Sequence, residues 1–324
     1  MGKLFTIGEV LIDFIPFQKG VALKDVVSFK RAPGEAPANV AAAVSKYGQK
    51  AALISKLGKD AFGDFLVERL VEAGVETDEV YRTREANTGL AFVSLKENGE
   101  RDFSFYRNPS ADLLLSEEEV EPTWFQAGDI LHFCSVDLVE SPMKQAHKKA
   151  IAAVSAADGL VSFDPNVRLP LWEDPEDCRR AILEFLPTAD IVKVSDEELS
   201  FITGIKEESD SIQSLFVGNV KAVVYTKGAA GADLILIDQK FKSSGYSVEP
   251  VDITGVGDAF IGRFLYQILE LHANPENLEE VLRDHQAVIL QFANACGALT
   301  TTGKGAISAL PTKKEVEELI ENQN

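Results

Sequence analysis

Short apolar runs that read as strands alternate with longer runs of helical period along almost the whole chain. The strand-like runs cover residues 4–15, 51–57, 130–133, 160–163, 191–194 and 222–226, and a hairpin-like stretch covers 233–248. Helical periodicity falls between them at 38–47, 61–73, 143–157 and 177–186, with a helical turn at 197–203 and two helices after Asp258. Parallel neighbours need a crossover long enough to hold a helix, so this rhythm predicts an α/β fold. The expected core is a doubly wound, mostly parallel sheet flanked by helices on both faces. Two stretches break the rhythm: 17–30, and 90–106 with a turn at Glu97-Asn98-Gly99. Both read as β-hairpin material with no helix between the strands, and a small β flap accounts for them. No repeat, low-complexity tract or Pro/Gly-rich linker divides the 324 residues, so 1–324 reads as a single domain.

Residues 252–260, Asp-Ile-Thr-Gly-Val-Gly-Asp-Ala-Phe, carry the strongest chemical signal. They follow an extended segment and open an apolar-periodic run, which puts Gly255 and Gly257 on a turn at a helix N-terminus. Unpaired N–H groups and the positive end of the helix dipole make such a turn attractive to phosphate. Asp258 would sit beside it as a carboxylate held ionised by that field. An anion-binding turn next to a fixed carboxylate suits phosphoryl transfer to an alcohol, and a capping Asp after a plain turn is the structural alternative.

Net charge is −19, which argues against nucleic acid or an anionic membrane as partner. An anionic small molecule stays possible, because neutral backbone N–H groups bind phosphate inside acidic proteins. Cys134, Cys178 and Cys296 are too widely spaced for a zinc site or a disulfide framework. With strand-like sequence starting at Lys3 and no uncharged apolar run of about 18 residues, the expectation is a cytoplasmic protein without a membrane span. No Gly-x-x-x-x-Gly-Lys-Ser/Thr occurs, no Gly-x-Gly-x-x-Gly follows the first strand, and His132, His147, His272 and His285 lack metal spacing.

Five stretches in order resemble the ribokinase-like (PfkB) carbohydrate kinases, nearest the fructokinase branch. They are Gly8–Phe14, Ala32-Pro33-Gly34-Glu35-Ala36-Pro37-Ala38-Asn39-Val40-Ala41, Asp164-Pro165-Asn166-Val167-Arg168, Lys193-Val194-Ser195-Asp196-Glu197-Glu198, and 252–260 itself, with 293–302 and Gly305-Ala306 adding to the likeness. The resemblance implies a doubly wound core with a β-sheet lid, here about 14–33 and 88–110, and a homodimer formed through lids. It implies ATP as co-substrate, Mg²⁺, and a sugar acceptor, most nearly D-fructose. Asp258 then serves as base, the backbone of Gly255 through Asp258 as anion hole, and Arg168 as a stabiliser of transferring charge.

The same resemblance assigns Asp13, Gly34, Asn39, Arg107, Asp164 and Asn166 to the sugar. Each also has a plainer reading: a strand-end turn for Asp13, local hydrogen bonding for Asn39, a snorkelling surface side chain for Arg107 beside Phe103, Phe105 and Tyr106. Lys193, Ser195, Thr226, Gly228, Gly231, Val256 and Asn294 fall to the nucleotide, and Glu198 to hydrated Mg²⁺. Ser195 stands where many relatives carry Asn, and a solvated helix start is the alternative for Glu198. Asp252 and Thr254 match positions that hold a K⁺ in relatives, or else form an Asx turn. Glu35 departs from the usual second glycine, which leaves the acceptor open among fructose, ribose, 2-keto-3-deoxygluconate and nucleosides. A non-catalytic sugar or nucleotide sensor is the rival outside enzymology.

Overall fold

The structure is a computed structural model that describes residues 2–18, 20–95 and 101–323, so the turn expected at 97–99 lies outside the described residues. In chain order the first third holds β1 (Leu4–Ile7), β2 (Leu11–Pro16), β3 (Phe29–Gly34), α1 (Ala36–Ser45), β4 (Ala51–Gly58), α2 (Ala61–Glu72), β5 (Val80–Thr83), β6 (Leu90–Leu95) and β7 (Arg101–Tyr106). The middle holds β8 (Ile130–Cys134), α3 (Pro142–Ala156), β9 (Leu160–Asp164), α4 (Pro175–Phe185), β10 (Ile191–Ser195), α5 (Asp196–Thr203) and α6 (Glu208–Gln213). Then come β11 (Ala222–Thr226), β12 (Ala232–Ile235), β13 (Lys240–Ser243), α7 (Val256–Glu270), α8 (Leu278–Thr300) and α9 (Lys313–Gln323).

The large sheet has nine strands in the order β13-β12-β11-β10-β9-β8-β1-β4-β5. From β11 to β5 every pairing is parallel, and β12 and β13 add an antiparallel edge. Residues alternate between its faces: Leu4, Ile130, Leu160 and Ile191 join one buried cluster, Phe5, Leu131, Val161 and Val192 the other. Helices α1, α7 and α8 pack on the first face through side chains such as Phe264, Leu265 and Ile289. Burying each of these large apolar groups stabilises the fold by about 1.5–3 kcal/mol.

Strand order runs outward from β8 on one side and from β1 on the other, so the order of winding reverses between these two parallel strands. Such a switch point opens a crevice at the carboxyl ends of the strands. The second sheet, β3-β2-β6-β7, rises from that crevice, because β2 follows the carboxyl end of β1 after only three residues. Its antiparallel pairs β2–β3 and β6–β7 are joined by a parallel β2–β6 pairing.

The run 4–15, expected as one strand, is therefore two strands in two sheets. Both halves are apolar and extended, so their pattern is continuous while their partners differ. Strand β5 and helices α6 and α9 also escaped the sequence reading, and β13 ends at Ser243, short of 248. Helix starts follow local chemistry: Asp60 caps α2 by accepting from the N–H groups of Phe62 and Gly63, and Pro37 sits in the first turn of α1.

Candidate active site

Helix α7 begins at the crevice. Gly255 caps it at φ 72°, a left-handed conformation that costs most residues strain, and a Cβ there would lie 2.4 Å from the Ala306 Cβ. The first N–H groups of a helix have no acceptor within it, so Val256, Gly257 and Asp258 bring donors and the dipole's positive end to this point. Asp258 lies in that first turn, and its Oδ2 accepts a 2.8 Å hydrogen bond from Asn39 Nδ2 of α1.

Beside this pair lies a cavity of 220 Å³. Asp13 of β2, Gly34 and Glu35 at the end of β3, Asn39, Asn166, Arg168, Thr254, Gly255 and Asp258 all line it. These residues come from the small sheet, the start of α1, the loop after β9 and the turn into α7, segments far apart in the sequence. Asn166 takes the left-handed φ of 45° that asparagine tolerates better than most side chains.

Beneath the α7 turn sits a buried ion pair. Lys193 Nζ lies 2.9 Å from Asp164 Oδ2, and 3.3 Å from where a Cβ on Gly257 would be. Burial pushes the Asp164 carboxyl up to about 6 even though the Lys193 charge opposes it. Glu198 is partly buried, which alone would raise it. The Lys193 charge and the N–H groups of Ser195 and Val167 outweigh that and hold it below the usual carboxylate range. Ser195 and Glu198 form a reciprocal capping box at the start of α5.

Arg107, expected at the acceptor, is placed otherwise. Its Nη2 pairs with the buried carboxylates of Asp112 and Asp137, and the residue is not among those lining the 220 Å³ cavity. It ties β7 to the loops after β7 and β8. Two carboxylates within reach satisfy a desolvated guanidinium better than an open crevice does. Asp164, assigned to the sugar, likewise lies behind the cavity on Lys193.

The residues expected at the nucleotide come from β10, β11, the turn after β11 and helices α7 and α8. Ser195 and Thr226 are paired neighbours at the carboxyl ends of β10 and β11. Gly228 is exposed in the following turn, while Gly231 packs against the β13 end, with Ser243 O 2.2 Å from its would-be Cβ. Asn294 Nδ2 donates to Ser243 Oγ at 3.0 Å, which fixes the loop after β13 against α8. Asp252 Oδ1 accepts from Thr254 N and Oγ1, and its Oδ2 from Gly305 N at 3.0 Å. The Asx turn is thus present and also clamps the loop after α8 to the start of α7.

Residues 1–313 match the family model described as pfkB family carbohydrate kinase. The chain belongs to this family. It is an ATP-dependent carbohydrate kinase. A fructokinase-2 of Oryza sativa subsp. japonica is 44% identical over 317 residues, 97% of this chain and 92% of that one. A fructokinase-2 of Zea mays is 42% identical over 321 residues, covering 98% and 93%. Among solved structures, the Xylella fastidiosa fructokinase with bound ATP superimposes at TM-score 0.90, with 35% identity and 99% and 98% coverage. The Vibrio cholerae O395 fructokinase with fructose, ADP and calcium ion superimposes at 0.88, with 33% identity and 99% coverage of each chain.

For this kinase a divalent metal beside ATP is the family's expectation. Among the described residues no group of three or more His, Cys, Asp or Glu side chains could hold a metal ion. The single fixed carboxylate of Glu198 fits a hydrated Mg²⁺, which keeps most of its waters and leans on one or two carboxylates plus phosphate oxygens. No helix among the described residues is long and apolar enough to cross a membrane. The sequence reading missed Phe105, Gly305 and Ala306 as cavity-lining residues of the kinase. Phe105 lies on β7 two residues before Arg107, which follows the strand's end, and a ring in a strand reads in sequence as ordinary packing.

Proposed function

We propose that this kinase transfers the γ-phosphoryl group of ATP to the 6-hydroxyl of D-fructose, with Asp258 as base. The observation that carries the reading is the Asp258 carboxylate at the first turn of α7, facing the same cavity as Asp13, Asn39 and Asn166. A carboxylate is too weak to deprotonate a free alcohol. It accepts the proton late, as the new P–O bond acidifies the attacking oxygen, and orients the nucleophile until then. The backbone N–H groups of Gly255 through Asp258 form the anion hole, and loss of such donors typically costs about 2.7–4 kcal/mol of barrier stabilisation. Arg168, which lines the cavity, adds positive charge for the transferring group. Asp13 accepts hydrogen bonds from two sugar hydroxyls, which an ionised carboxylate does well.

Glu198 holds hydrated Mg²⁺, which supplies charge neutralisation on the phosphate oxygens when bound. Asp252 and Thr254 shape a K⁺ site with the loop after α8, and a potassium titration of activity tests it. The small sheet acts as a lid. Its connection between β2 and β3 exposes Phe17 and Val27, and this face fits a homodimer contact that light scattering would detect. Three buried, unpaired cysteines agree with a reducing, cytoplasmic setting.

Support for fructose comes from the fructokinase relatives, including the Vibrio cholerae enzyme whose structure contains fructose and ADP. A coupled ADP-release assay over fructose, ribose, 2-keto-3-deoxygluconate and a nucleoside tests it. Fructose should give the highest kcat/KM. Preference for another acceptor would reject that part of the proposal, and tight sugar binding without ATP consumption would reject the enzyme.

A further inference from the structure

Four non-glycine residues among those described have φ in the left-handed half of the map: Glu35, Asp158, Asn166 and His272. Asn, Asp and His are the types that tolerate it, so Glu35 at φ 99° and ψ 150° is the outlier. Strain of this kind persists only where the surroundings impose it, and it clusters at ligand sites. Helix capping does not explain it. Glu35 stands at the N-cap of α1, yet its side chain makes no cap hydrogen bond. Among the described residues its carboxylate has no hydrogen-bond partner at all. Instead Glu35 lines the acceptor cavity.

That cavity holds three carboxylates, Asp13, Glu35 and Asp258, against one cation, Arg168. Burial raises the Glu35 carboxyl, the Arg168 and Arg107 charges oppose that, and Asp258 and Asp112 add to it. An acceptor carrying its own carboxylate would need Arg168 as partner, and Glu35 already draws on that charge. A neutral polyol meets no such competition and offers hydroxyls to an unpaired carboxylate.

We infer that Glu35 is a specificity determinant that restricts the acceptor site to uncharged sugars and excludes sugar acids. This inference deepens the sugar kinase reading above and rests on it. Removing the charge should open the site to acidic acceptors, because Arg168 is then free to bind one. Substitution to glycine also relieves the backbone, so the variant should fold.

The test compares wild type, Glu35→Gln and Glu35→Gly in the coupled assay, with thermal unfolding confirming that each folds. The probes are 2-keto-3-deoxygluconate and whichever neutral sugar the wild type uses best. The kcat/KM ratio of neutral sugar to sugar acid should fall at least tenfold in both variants, mainly through a lower KM for the acid. A ratio within twofold of wild type in both would overturn the inference. Wild type that accepts the acid as readily as the neutral sugar would overturn it too. Best activity on ribose would sink only the fructose assignment, since ribose then serves as the neutral probe. No turnover with any acceptor would sink the kinase reading and this inference together.

Discussion

The Asp13 carboxylate fills the space that a side chain on residue 34 would need: a Cβ built on Gly34 would lie 2.2 Å from Asp13 Oδ2. The two residues sit at the near end of the β2–β3 ladder, where Leu11 pairs with Gly34 and Asp13 with Ala32. Glycine here keeps a carboxylate aimed into the cavity. Gly34→Ala should therefore raise KM for the sugar tenfold or more while KM for ATP stays within about twofold. Equal loss for both substrates would show that the substitution disturbs the whole crevice instead.

Asp258→Asn keeps size and hydrogen bonding but cannot accept the proton. General-base contributions of about 10²–10⁴-fold set the expected fall in kcat. Calorimetry should still detect both sugar and nucleotide binding. Near-normal turnover would remove Asp258 from the chemistry.

Asn39 donates to Asp258 Oδ2 at 2.8 Å and so fixes one carboxylate oxygen, leaving the other to the substrate. A hydrogen bond to a charged group contributes about 1.5–3 kcal/mol, so Asn39→Ala should lower kcat by about ten- to a hundredfold. Asn39→Asp should be worse, since it sets a second carboxylate against the first. If single-turnover rates in both variants match wild type, Asn39 has no part in orienting the base.

His132 is fully buried on β8 against Ser162 Oγ at 3.0 Å. Burial, then the Lys193 charge, lowers its pKa from 6.5 to about 3. A depressed value means the unfolded chain binds the proton more readily. The stability is complete above pH 6.5 and is lost as pH falls from there towards 3. Relative to His132→Gln, wild type should lose about 2 kcal/mol of unfolding free energy between pH 7.5 and 5. Urea denaturation at both pH values measures this, and parallel pH curves for the two proteins would contradict it.

Much of the frame was legible because apolar period reports burial directly. Residues 51–58, 160–164 and 222–226 sit within a residue of where the pattern put them. The exposed elements α6 and α9 were harder, since a polar surface helix carries little apolar signal. Arg107 shows the limit for the site. Its sequence context, a cation among rings, is the same whether it meets a ligand or buried acids. The choice was made by Asp112 and by Asp137, thirty residues away. Asp164 and Lys193 illustrate the same point, for nothing in their local sequence says that they face each other instead of the cavity.

The sequence by itself determined the alternating elements, the parallel sheet and the glycine turn before Asp258, because period, turn chemistry and helix starts are local properties of the chain. Tertiary structure alone decided that Asn39 meets Asp258 across 219 positions, that Gly34 makes way for Asp13, and that Glu35 carries its strain into the cavity. Those facts depend on how the strand order reverses at the switch point and on which side chains then compete for the same space.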